Sequence, residues 1–125
     1  MSEHLVYTLY QEGRSRLDDG DPGGAAEILE LAVEREPAKA SLHETLGRAY
    51  FASGRLRLAL AAFESALGIN PSDDYAHFGA GRCFERRGQL LGAAKHFKLA
   101  CALADRPHYA DALERVQDRL REPGA

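Results

Sequence analysis

Three arginines, Arg14, Arg48 and Arg82, stand 34 residues apart, and each directly follows a glycine. A guanidinium keeps its charge at any physiological pH and presents a planar fork of donors that grips a carboxylate with two hydrogen bonds. Aromatic residues lie near them in the chain: Tyr7, Tyr10, Phe51, Tyr75 and Phe78. Arginine and aromatic side chains are the types enriched where proteins bind one another. Repeated at a fixed interval, they point to recognition of another protein. A second reading is open from the residues alone. Glu44 precedes Arg48 by four positions and Asp18 follows Arg14 by four, spacings that pair charges locally on a helix.

Catalysis asks for other patterns, and they are missing. Ser15, Ser41, Ser53, Ser65 and Ser72 lie in no G-x-S-x-G elbow, and no glycine-rich phosphate loop follows a strand. The two cysteines, Cys83 and Cys101, form no C-x-x-C pair, and both read as small packed hydrophobes. DDGD at 18–21 lacks the alternate spacing and the later glutamate of a calcium loop; Asp21 before Pro22 reads as a helix N-cap. His43 and His77 stand one repeat apart and read as packing residues, because metal ligands cluster. His96 is expected on an outer surface. A non-enzyme with no cofactor and no metal follows.

The totals narrow the class further. The 125 residues suit one domain spanning 1–125, with 45% apolar and 28% charged residues in an ordinary globular balance. The net charge of −3 gives no basic excess for phosphates, so nucleic acid is not an expected partner. The start, MSEHLVYTLYQEGR, has no basic stretch followed by an apolar core, and no apolar run approaches membrane-span length. The expectation is a soluble cytoplasmic chain with reduced thiols and no membrane insertion.

The elements that must hold the arginines emerge when the chain is laid on itself at a shift of 34. Gly13, Gly47 and Gly81 align, as do Gly20, Gly54 and Gly88. Ala25, Ala59 and Ala93 align, and so do Ala32, Ala66 and Ala100. Leu29, Phe63 and Phe97 match in bulk, and Pro37 falls on Pro71. Each copy reads as two helices. Leu42, Leu46, Ala49 and Tyr50 recur at the helical period, Gly54 closes that helix, and Leu56, Leu60, Phe63, Ala66 and Leu67 mark the second before Pro71 stops it. One such hairpin cannot bury its apolar face alone, so copies must stack. Beyond them, Tyr109, Leu113, Val116 and Leu120 form a single stripe on a last helix that covers the end of the stack.

The stretch HETLGRAY (43–50), then ALAAF (59–63) and Pro71, resembles a tetratricopeptide repeat, with His43 where that family usually has tryptophan. The third copy matches nearly as well, and the first is more divergent. The resemblance implies an all-α fold: a right-handed α-solenoid of three antiparallel helix pairs plus one solvating helix, seven helices in all. The repeats would be about 6–39, 40–73 and 74–107, with a capping helix at about 108–121. It further implies a non-catalytic adaptor or scaffold that binds a peptide or helix of a partner protein on a concave face lined by the first helix of each pair. Tyr7, Tyr10, Arg14, Arg48, Phe51, Tyr75, Phe78 and Arg82 are the expected groove residues. The alternative is a structural module that self-assembles into a homo-oligomer through the solenoid ends. Carboxylate-clamp members of the family grip acidic chaperone tails; the matching residues here are Tyr10, Arg14, Thr45, Tyr75 and Gly79, so no clamp is implied.

Overall fold

The computed structural model describes residues 2–124. Among them are seven α-helices and no strands: α1 (Ser2–Asp18), α2 (Pro22–Arg35), α3 (Ala40–Ala52), α4 (Leu56–Ile69), α5 (Asp74–Arg86), α6 (Leu90–Leu103) and α7 (Pro107–Arg121). Consecutive helices pack on each other along the chain, α1 also touches α3, and α3 touches α5. Helices α1, α3 and α5 therefore share one face. The three hairpins and the covering helix agree with the repeat read from the sequence.

Each hairpin turns by the same device. Gly20, Gly54 and Gly88 take φ of 82°, 79° and 76°, the left-handed region where a Cβ is strained. In the second hairpin Gly54 N donates to Phe51 O at 3.0 Å and Arg55 N to Tyr50 O at 2.9 Å. This two-bond closure satisfies the last carbonyls of α3, and it recurs after α1 and α5. Gly54→Ala is therefore expected to cost about 1–2 kcal/mol. Gly68, in the last turn of α4, has open space where a Cβ would go, so Gly68→Ala is expected to stabilise by about 0.5 kcal/mol. Urea melts of the two variants should move in opposite directions.

The core alternates small and large. Ala25, Ala59 and Ala93 are fully buried on the second helices and let the pairs approach, while Leu29, Phe63 and Phe97 fill the space beside them. A Cβ on Gly47 would meet the Phe63 ring at 2.7 Å, and one on Gly79 would meet it at 2.4 Å. Phe63 is thus slotted between two glycines, one from its own hairpin and one from the next. Gly13 with Leu29 and Gly81 with Phe97 repeat the first half of this arrangement.

The histidines tie turns to helices. His43 Nε2 lies 2.7 Å from Pro37 O and His77 Nε2 lies 3.1 Å from Pro71 O. A carbonyl only accepts, so Nε2 carries the proton in both rings. In His77 this leaves Nδ1 as an acceptor, and His96 Nδ1 donates to it at 3.2 Å. His96 is not on the outer surface as expected. It is half-buried and stacks on Phe84 with ring centroids 5.4 Å apart, because α6 turns this position toward α5. Burial, then the neighbouring His77, hold its pKa below the usual value. Asp21 caps α2 as expected, accepting from Gly24 N at 3.0 Å. Cys83 is buried, and burial pushes its thiol up to about 11, which keeps it protonated and inert.

The last helix does more than cover the stack. Tyr109, Ala112 and Val116 are buried, and the Tyr109 hydroxyl donates to Asp74 Oδ2 at 2.7 Å. That contact fastens the start of α7 to the start of α5. It also leaves Arg106, His108 and Tyr109 bordering the concave face.

Candidate functional site

The shared face of α1, α3 and α5 carries the three repeat arginines. Among the described residues, none of the three forms an ion pair with a carboxylate. Each instead lies over an aromatic ring. The Arg14 Cζ is 5.7 Å from the centroid of Tyr10, one turn earlier on the same helix. Arg48 crosses to the next repeat and lies 5.6 Å from Tyr75. Arg82 crosses back and lies 4.3 Å from Phe51, with Phe78 at 5.8 Å. A cation over a ring is held by the negative face of the π system, and that contact uses none of its N–H hydrogen bonds to carboxylates.

The crossing side chains enclose a hollow of about 200 Å³ between α3 and α5. Arg48, Phe51, Tyr75 and Arg82 form its walls, Leu17 and Ala52 extend the rim, and Phe63 and Gly79 form the floor. The arrangement offers an apolar seat flanked by two forked donors. A peptide side chain can be desolvated there while its neighbours meet guanidinium groups.

A second, polar hollow adjoins it toward α1 and α7. Arg14, Glu44, Arg48, Asp73, Asp74, Tyr75 and Arg106 line it. Glu44 does not pair with Arg48 in the way its spacing allows. Its carboxyl is hydrogen-bonded to Asp73, whose other task is to cap α5 by accepting from Ala76 N at 3.0 Å. Two carboxyls in contact share one proton. Burial first, then this hydrogen bond and the Asp73 charge, push Glu44 from 4.5 up to about 8, while Arg48 pulls the other way. The protonated Glu44 donates and Asp73 accepts. The sign follows directly. Between about pH 4.5 and about pH 8 the folded chain holds a proton that the unfolded chain has released, so stability falls as pH rises through that window. Glu44→Gln keeps the donor without the charge. It is expected to flatten the decline, as read by urea midpoints taken at about pH 5 and about pH 8.5.

The expected groove residues separate into groups. Arg48, Phe51, Tyr75 and Arg82 converge on the central hollow. Arg14 borders the polar one. Tyr10 and Tyr7 border a third hollow at the start of the array with Val6, Lys39, Ser41 and Leu42, and Tyr7 is 58% exposed with its hydroxyl accepting from Gln11 Nε2 at 2.8 Å. Phe78 differs from the expectation. It is only 8% exposed and packs on Phe97, His108 and Tyr109, because α7 folds over it. It supports Arg82 from beneath and offers no open face to a ligand.

Sequence reasoning missed Phe63 as a floor residue, since it belongs to a second helix. The signal was present: the third copy has Gly79 where the second has Thr45, and that loss of side chain opens the floor to the ring below. It also missed Asp73 and Asp74, at the joint between the second and third repeats, and the contributions of α7, the helix beyond the last pair. No group of three or more His, Cys, Asp or Glu side chains suited to a metal occurs among the described residues. Among those residues no helix is long and apolar enough to cross a membrane.

Comparison with known proteins agrees with this geometry. The family model described as tetratricopeptide repeat matches residues 10–74 and again residues 44–110. Among curated proteins, the chain is similar to the Photosystem I assembly protein Ycf3 of Prochlorococcus marinus (strain NATL1A), at 30% identity over 91 residues, covering 70% of this chain and 53% of that protein. The chain thus spans about half the length of the curated relatives it matches. Its fold is similar to the first TPR domain of Spaghetti (RPAP3) bound to an HSP90 peptide, with a TM-score of 0.92 at 18% identity over 95% of each chain. It is also similar to the Yersinia enterocolitica type III secretion chaperone SycD in complex with a peptide of the translocator YopD, with a TM-score of 0.85 at 18% identity over 93% of this chain and 95% of that one. With the two family matches together spanning residues 10–110, and three helix pairs in register beneath them, the chain belongs to the tetratricopeptide-repeat family.

Proposed function

We propose that the chain is a non-catalytic adaptor that holds an extended segment or a helix of one partner protein in its concave groove. One observation carries the reading. Arg14, Arg48 and Arg82 lie on aromatic rings without carboxylate partners among the described residues, and the latter two flank an apolar hollow of about 200 Å³. In this reading Arg48 and Arg82 are the principal polar anchors and Arg14 the outer one. Phe51 and Tyr75 seat an apolar side chain, and Tyr7 and Tyr10 extend the surface toward the start of the array. Two similar folds are named as holding peptides, SycD with YopD and the Spaghetti domain with an HSP90 segment, which supports a peptide as the ligand class. The clamp positions here carry Tyr10, Arg14, Thr45, Tyr75 and Gly79, and Gly79 is buried against the Phe63 ring. Terminal acidic chaperone tails are therefore not the expected ligand. Two free cysteines and a net charge of −3 fit action in a reducing cytoplasm on a protein, not on nucleic acid.

The test is capture from a lysate of the source organism, with wild type and an Arg14→Ala, Arg48→Ala, Arg82→Ala variant side by side. A protein retained by the first and lost by the second supports the reading. Identical proteins on both move the site off the arginines.

A second reading has its own observation. Leu91 is 78% exposed and borders an apolar hollow with Leu90, Gly92 and Leu120 at the far end of the array. Isolated repeat arrays associate through such ends. Light scattering separates the two: a dimer that Leu91→Glu dissociates favours assembly, and a monomer at every concentration leaves the adaptor.

A further inference from the structure

The end of the groove nearest α7 holds a concentration of positive charge. Arg82 and Arg86 from α5 and Arg115 and Arg119 from α7 line one open cavity of about 600 Å³ with Glu85 and Gly88. Helix α7 runs beside α5 in the same direction, which brings side chains 30 residues apart in the chain onto one wall. Glu85 is the one carboxylate in this lining, and it is already engaged. Arg115 Nε and Nη2 donate to its two oxygens at 2.7 and 2.9 Å, a bidentate grip that holds the Glu85 carboxyl below its usual range.

Arg82, Arg86 and Arg119 are left without a carboxylate partner among the described residues. Arg82 and Arg86 both rest on the Phe51 ring, at 4.3 and 4.9 Å, which directs two forks into the same space. Like charges gathered in one cavity repel, and the chain gathers them despite a net charge of −3. An anionic ligand turns that repulsion into attraction.

We infer that this cavity takes a pair of neighbouring carboxylates from an acidic stretch of the partner segment. Arg82 borders both this cavity and the apolar hollow. The segment that fits carries an apolar side chain for the Phe51–Tyr75 seat and, shortly beyond it, aspartate or glutamate residues. Only this pairing with the apolar seat rests on the adaptor reading; the arginine cavity stands on its own geometry. The site is distinct from a clamp on a chain terminus, because it lies between α5 and α7 and needs no terminal carboxylate.

The probe is a fluorescein-labelled, C-terminally amidated peptide with one leucine followed a few residues on by a run of glutamates. A twin carries glutamines in the run, and a third carries lysines. Anisotropy titrations are made with wild type and with an Arg86→Glu, Arg119→Glu variant. Both residues are exposed, so the variant is expected to fold, checked by its helical circular dichroism. A control variant reverses Arg35 and Arg57, exposed on α2 and α4, and carries the same net charge. Wild type and control are expected to prefer the glutamate peptide over the glutamine twin by about tenfold or more at low salt. That preference should shrink as salt rises from about 0.05 to about 0.5 M. The cavity variant should lose it and favour the lysine peptide. Equal affinity of wild type for the glutamate and glutamine peptides overturns the proposal, and so does a preference that survives in the cavity variant or disappears in the control. Equal affinity for the two peptides, with both weakened by Arg48→Ala, leaves the adaptor reading standing while the acidic site falls.

Discussion

Phe63→Ala is expected to remove the cooperative unfolding of the array as a single unit and to release α5–α7 at lower urea than α1–α3. The side chain is 1% exposed, and its ring fills the slot between Gly47 on α3 and Gly79 on α5. It also contacts Tyr75, with centroids 6.4 Å apart. Truncating a buried phenylalanine costs about 3–5 kcal/mol. A domain of this size has about 5–15 kcal/mol in total. In a repeat array the neighbour interface is the term that couples one unit to the next, and this ring spans that interface. Circular dichroism in urea reads the effect. A midpoint shift equivalent to less than about 1 kcal/mol would show that the glycine slot closes over the gap. Gly79→Ala tests the slot from its other side. Its Cβ would enter the ring at 2.4 Å, so overpacking is expected to cost about 1–3 kcal/mol and to fill the floor of the hollow.

The Arg14→Ala, Arg48→Ala, Arg82→Ala variant is expected to lose its captured partner by a factor of at least about 30, the loss that one hot-spot residue of about 2 kcal/mol represents. Folding should change little. A cation over an exposed or half-exposed ring contributes about 0.5–1 kcal/mol, and no carboxylate is left unpaired by the change. Among single variants the order should be Arg82, then Arg48, then Arg14. Arg82 and Arg48 are half-buried and flank the hollow, whereas Arg14 is exposed beside Tyr10. Arg→Lys at the same positions keeps the charge and loses the planar fork. It should recover only part of the affinity. Calorimetry on the captured partner measures each term, and full recovery by lysine would reduce the arginines to simple charges.

Much of the fold was legible because glycine, alanine and proline report backbone constraints directly. The turn glycines have the left-handed φ that a closing turn needs, and the register of Leu29, Phe63 and Phe97 marks the packing layer in every copy. The site was legible only in part. Helical spacing placed Arg48, Phe51, Tyr75 and Arg82 on one face, and the structure brings those four around one hollow. Spacing could not show that Arg48 reaches a ring 27 positions away instead of pairing with Glu44, or that Arg82 reaches back to one 31 positions away. Two tertiary facts decided this. Asp73, at the start of α5, takes the hydrogen bond of Glu44, and α7 lies over Phe78 and withdraws it from the groove. Both depend on the joints between repeats and on the last helix, where a period of 34 carries no information. His96 escaped for the same reason, since its partner His77 lies on a different helix.

The central claim is that the concave face of α1, α3 and α5 holds a peptide. Backbone amide shifts of the labelled protein, followed during titration with a peptide selected on it from a random display library, test this most directly. The account predicts the largest changes around Arg48, Phe51, Tyr75, Gly79 and Arg82, with smaller ones near Tyr10 and Arg14. Changes centred on the exposed faces of α2, α4 and α6, with the groove amides unmoved, would contradict it.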